Sequence, residues 1–88
     1  MANEAPEEGK LIGKVTHFFS HINVAVIELS EVLNVGDKIR IVGGDTDFTQ
    51  TVESMEIEHK KVESANPGDS AGMKVGQKVR EGYKVYKL

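Results

Sequence analysis

The run Asn66-Pro67-Gly68-Asp69-Ser70-Ala71-Gly72-Met73-Lys74-Val75 joins a turn to a strand. Proline second and glycine third suit a type II turn, because proline presets a negative φ and glycine accepts the positive φ that follows. Beyond the turn, Ala71, Met73 and Val75 alternate with Ser70, Gly72 and Lys74. That period of two is the signature of a strand with one buried face. The same grammar extends outward in both directions. Upstream, Phe48 to Glu58 reads as one long strand whose inward phase slips between Val52 and Met55, which predicts a β-bulge near Glu53-Ser54. Asp37 to Val42 alternates Ile39 and Ile41 inward with Lys38 and Arg40 outward, and Gly43-Gly44-Asp45 turns the chain. Ile22 to Leu29 is almost continuously apolar, as a central strand should be. Leu11 to Phe18 precedes it, a short segment surrounds Val62, and Tyr83 to Leu88 ends the chain.

Composition agrees. Eleven valines, six isoleucines and four threonines favour strands, nine glycines punctuate them, and no window keeps a 3.6-residue apolar period. The fold class expected is all-β, a small antiparallel β-barrel, since a chain this short gains most by removing sheet edges. The final strand is expected to pair with the first and close the sheet. The expected core comprises Val15, Ala25, Ile27, Ile39, Ile41, Val52, Ile57, Met73, Val75 and Val85. Residues 1–9 (MANEAPEEG) are acidic and aperiodic and are expected to form a disordered tail, leaving 10–88 as the single barrel domain.

With 88 residues the chain supports one modest core. It has no cysteine, so thiolate chemistry and disulfides are excluded. The longest aliphatic run, Val24-Ala25-Val26-Ile27, is too short to span a bilayer, and the acidic N-terminus does not resemble a signal peptide. A cytoplasmic monomer without a membrane partner is therefore expected. Glu4, Glu7 and Glu8 account for the whole net charge of −3, so the body is neutral with a basic C-terminal end.

One short pattern recurs. Val35-Gly36-Asp37-Lys38-Ile39-Arg40 matches Val75-Gly76-Gln77-Lys78-Val79-Arg80, and Glu81-Gly82-Tyr83-Lys84-Val85-Tyr86 keeps the Gly-x-Lys-aliphatic core. This is a repeated way of entering a strand, not a solenoid period.

Taken in order, Ile12-Gly13-Lys14-Val15, the aliphatic strand at Val24 to Leu29, Leu33 to Ile41, Thr51 to Met55, Ala65 to Val75 and Arg80 to Tyr86 resemble the second, β-barrel domain of translational GTPases. The block Phe48 to Lys60 is similar to two relatives of that barrel. These are the small translation elongation factor-like proteins and the C-terminal barrel of the collagenase-like peptidase family, which includes RNA-hydroxylation proteins. The pattern's final Gly-Asp is replaced here by Gly82-Tyr83, a departure that alters the polar cap of the last turn and not the fold. The resemblance implies a non-catalytic module of translation or RNA modification, with RNA, tRNA, the ribosome or a protein as partner. In these families the nucleotide site and the catalytic groups lie outside the barrel, so no nucleotide site and no cofactor are expected.

The residues offer few alternatives for chemistry. His17 and His21 bracket a strand end, with His59 distant and no further ligand evident, so no metal is expected. Glu53, Glu56, Glu58 and Glu63 alternate faces and do not form an acid–base pair, and Ser20, Ser54 and Ser70 lack a nucleophile-elbow context. No catalytic residue is expected. The expected contact residues for RNA or a partner are Lys14, His17, Phe18, Phe19, His21, Arg40, His59, Lys60 and Lys61. Strand alternation cannot bury both Phe18 and Phe19 on one face, so either ring is open to a base or a partner groove. The rival expectation is a protein-interaction barrel that docks on a separately encoded enzyme through an apolar patch around Phe18, Phe19 and Ile22.

Overall fold

A computed structural model describes residues 9–88, so the expected acidic tail lies, Gly9 apart, outside the described residues. Ten strands follow in order: β1 (Lys10–Phe19), β2 (Val24–Leu29), β3 (Leu33–Asn34), β4 (Lys38–Gly43) and β5 (Thr46–Thr51) in the first half. The second half holds β6 (Met55–Ile57), β7 (Lys60–Val62), β8 (Ser64–Ala65), β9 (Ser70–Lys74) and β10 (Lys84–Lys87). Eight strands form one antiparallel sheet in the order β5-β4-β10-β1-β2-β9-β6-β7, and β3 pairs with β8. The fold is the small all-β antiparallel barrel expected.

The barrel closes differently from expectation. β10 does pair with β1, but it lies between β1 and β4 and not at a seam. The seam falls where the long strand expected over Phe48–Glu58 breaks: β5 stops at Thr51, Val52 to Ser54 leave the ladder, and β6 resumes at the far end of the sheet. A bulge would have kept one partner; a full break lets the chain change partners. The Gln50 side chain spans the gap, its Nε2 donating to Lys74 O at 2.8 Å and its Oε1 accepting from Gly76 N at 2.9 Å. An amide side chain thus supplies the two bonds that a ladder pair would make there.

The core contains nine of the ten expected residues, with Ile57 partly buried against it. It also contains Ile12, Leu29, Leu33, Met55 and Val79 among others. Two irregularities in β1 explain why its simple alternation fails. The register with β10 shifts between Leu11 and Gly13, so Ile12 is fully buried alongside the inward Gly13. The register with β2 shifts between Val15 and His17, which turns Phe18 toward the core opposite Ala25 and leaves His17 and Phe19 outward.

Three turns share one hydrogen-bond pattern. In Asn66-Pro67-Gly68-Asp69, Asp69 N donates to Asn66 O at 3.0 Å and Gly68 has φ 92°, the geometry of the type II turn expected. Gly68 N donates to Leu29 O and Leu29 N donates to Asp69 O, so the turn clamps a buried strand end. Asn34-Val35-Gly36-Asp37 repeats this on Val52, and Arg80-Glu81-Gly82-Tyr83 repeats it on Val15. In the first two, the Asp side chain also accepts from the backbone N of the turn's Asn, at 2.9 Å each. In the third, Tyr83 replaces the aspartate; its ring lies over Gly43, filling the space where a Cβ would be. The Gly82-Tyr83 departure therefore changes the cap and keeps the clamp.

Candidate functional site

Two hairpin ends rise beside one sheet face and make a cleft of about 1000 Å3. β1 enters β2 through residues 20–23, where Ile22 N donates to Phe19 O at 3.2 Å. β6 enters β7 through a two-residue turn, Glu58-His59, in which both residues have positive φ. Between them, Val26, Gly72 and Glu56 stand opposite one another across β2, β9 and β6. Val24, Val26 and Gly72 form the floor, Phe19 and Ile22 come from the β1–β2 end, and Glu56, Glu58 and His59 come from the β6–β7 end. Phe19 is 38% exposed and Ile22 49% exposed, so the cleft offers large apolar groups to whatever enters it.

The expected contact residues are only partly gathered. Phe19, His21 and His59, far apart in sequence, line this one cleft. Phe18 does not, being packed against the core; of the two rings, Phe19 is the outward one. His17 packs against Phe19 in a tilted arrangement with ring centroids 4.5 Å apart, and its Nδ1 lies 3.7 Å from Glu81 Oε2. Lys14 stands directly opposite Lys84 and borders a smaller cleft of about 450 Å3. Arg40 lies on β4 and donates through Nε and Nη2 to both carboxylate oxygens of Asp47, the Nε bond being 2.7 Å. That hydrogen bond holds the Asp47 carboxyl below its ordinary pKa against an opposing desolvation, with the guanidinium charge adding to the lowering. Lys60 and Lys61 are exposed on β7, at one edge of the sheet. Among the described residues no group of three or more His, Cys, Asp or Glu side chains is placed to hold a metal ion.

Sequence reasoning missed the contribution of Glu56, Glu58 and Gly72. Glu56 and Glu58 read only as carboxylates on alternating faces, because nothing local announces that β6 pairs with β9 and so brings the β6–β7 hairpin to the same cleft as the β1–β2 end. Gly72 left one legible signal, a glycine at an outward position inside an alternating strand.

The architecture defines a class, a small antiparallel barrel with an apolar cleft at one end of its sheet. Comparison with solved structures places it more closely. The fold matches the crystal structure of the C-terminal domain of a candidate U32 peptidase from Geobacillus thermoleovorans, in its selenomethionine form, with a TM-score of 0.85 at 20% identity. That match covers 89% of this chain and 99% of the domain. A second crystal structure of the domain gives 0.84 at 18% identity over 97% of this chain. No protein-family model matches. In sequence, 78 residues are 45% identical to an uncharacterised protease of Methanocaldococcus jannaschii, and 79 residues are 37% identical to a collagenase of Porphyromonas gingivalis. These matches cover 88% of this chain but only 19% and 22% of the relatives, so the chain spans about a fifth of their length.

The comparisons support the collagenase-like part of the resemblance and correct the rest. Relatives named protease and collagenase overturn the expectation of a translation factor, an elongation factor-like protein or an RNA-binding module. The basic residues expected to make contacts are spread over three strands. Arg40 is engaged by Asp47, Lys14 sits on β1, and Lys60 and Lys61 stand four strands away at the sheet edge. Among the described residues no helix is long and apolar enough to cross a membrane.

Proposed function

We propose that this chain is a non-catalytic protein-interaction barrel that docks on the body of a peptidase- or collagenase-type protein. The similarity to about a fifth of such proteins carries the reading, because it leaves most of each relative outside the barrel. The open apolar groups Phe19 and Ile22, brought to one cleft, supply the kind of surface a protein partner buries. The catalytic groups then belong to the partner body, and the barrel positions that body or what it acts on.

The test is a binding measurement. The 88-residue chain is titrated by calorimetry into a relative protease whose matching segment has been deleted. Saturable one-to-one association is expected, with a negative heat-capacity change from apolar burial. No association at micromolar concentrations, or peptide hydrolysis by the purified barrel alone, overturns the reading.

A further inference from the structure

We propose that the cleft between the 20–23 and 58–59 turns is a docking groove for an extended segment of a partner protein that carries a bulky apolar side chain beside a lysine or arginine. The inference rests on the docking role proposed above and names its surface and the chemistry of its occupant.

Backbone strain marks the place. Among the described residues three that are not glycine have positive φ: Asn23 at 55°, Glu58 at 52° and His59 at 69°. All three line this cleft. Asparagine and, to a lesser degree, histidine tolerate that conformation, but glutamate has no such ease. A two-residue hairpin turn with both φ positive is most stable as Asn-Gly or Asp-Gly. Glu58-His59 forgoes that stability and in return presents two functional side chains at the cleft's lip. Strain retained in this way clusters where proteins clamp ligands.

Gly72 marks the floor independently. A Cβ there would meet Val24 Cγ1 at 3.6 Å and Glu56 O at 3.8 Å, ordinary contacts, and its φ is not in the left-handed region. The fold therefore does not require glycine, although glycine weakens a strand interior. What the glycine keeps open is the middle of the cleft, where another backbone can lie close to the sheet.

Charge selects the occupant. Glu56 and Glu58 line the β6–β7 side and make no ion pair among the described residues, while Lys74 lies toward β2 beside Val24. Phe19, Ile22, Val24 and Val26 take an apolar anchor, and the two carboxylates favour a cation next to it and disfavour an acidic one.

The experiment uses the full chain and two labelled pentapeptides, Gly-Phe-Lys-Lys-Gly and Gly-Phe-Glu-Glu-Gly, followed by fluorescence polarisation at low salt. The basic probe is expected to bind about tenfold tighter or more. Gly72→Leu, which fills the floor, is expected to weaken that binding about tenfold, as blocking a central pocket does. Glu58→Lys is expected to remove or reverse the preference between probes. This exposed turn variant keeps the test decisive should Gly72→Leu fail to fold. Equal affinities for the two probes, no binding of either, or a parent-like preference in folded Glu58→Lys overturns the proposal. A selective groove with no complex in the calorimetric titration retires the docking role alone. A complex unaffected by folded Gly72→Leu and Glu58→Lys retires the groove alone.

Discussion

Alanine at Gly13 and alanine at Gly72 are the same substitution on neighbouring parts of one sheet, and they should move stability in opposite directions. At Gly13, the added methyl would stand 2.4 Å from Glu28 O and 3.1 Å from Ile27 Cγ2. A comfortable carbon–oxygen approach is about 3.3 Å, so β1 and β2 must separate by roughly 0.9 Å. A ladder bond of about 2.9 Å stretched by that amount passes the limit of a useful hydrogen bond. Losing one or two such bonds beside the Gly13–Leu29 pair, together with the overpacking itself, costs about 2–4 kcal/mol. For a domain of this size that lowers Tm by roughly 10–25 °C. At Gly72, where the contacts are ordinary, reduced freedom of the unfolded chain should stabilise by about 0.4–1 kcal/mol. The assay is urea unfolding followed by far-UV circular dichroism, with unchanged m-values required in both variants. A Gly13→Ala midpoint equal to the parent's, or a Gly72→Ala loss as large as that expected for Gly13→Ala, would refute the assignment of one glycine to packing and the other to function.

Val85 is fully buried on β10 between β1 and β4, so Val85→Ala should cost about 1–3 kcal/mol in the same melts. Asp69→Ala removes the carboxylate that accepts from Asn66 N and should cost about 1 kcal/mol, with a similar loss for Asp37→Ala at Asn34 N. The Asp47 carboxyl has a lowered pKa, so its contribution is complete above the ordinary aspartate range and disappears as pH falls through the folded value. Asp47→Asn should therefore melt below the parent at pH 6, the gap should shrink as pH falls below the ordinary aspartate range, and 1 M salt should narrow it at pH 6. Phe19→Ser with Ile22→Ser should leave the melt near the parent's, since both side chains face outward, while abolishing the calorimetric association with the truncated relative.

Much of the cleft was unreadable in one dimension because it is an intersection of distant segments. Phe19 and His21 come from the first hairpin and His59 from the third, and no local periodicity connects them. Their side chains meet only because β9 lies between β2 and β6. Two properties were likewise hidden in β1. Strict alternation from the buried Val15 would put Ile12 and Phe18 outward with Lys14 and Thr16, yet two register shifts turn both toward the core. A bulge leaves no mark in alternation until its neighbours are known.

The sequence by itself determined the class of fold: period-two segments rich in β-branched residues, separated by glycine-bearing turns, can bury their apolar faces only as packed strands. It also determined the turn at Asn66–Asp69, because Pro67 and Gly68 restrict that backbone locally. Tertiary structure decided where the barrel closes. Val52 to Ser54 leave the ladder because the chain must cross from β4 as partner to β9, and Gln50 then bonds to Lys74 and Gly76, residues more than twenty positions away. It also decided that Arg40 serves Asp47 and that Glu58, His59 and Gly72 share a cleft with Phe19. Those outcomes depend on strand order and register, and both are chosen by the packing of the whole core, not by any local stretch of chain.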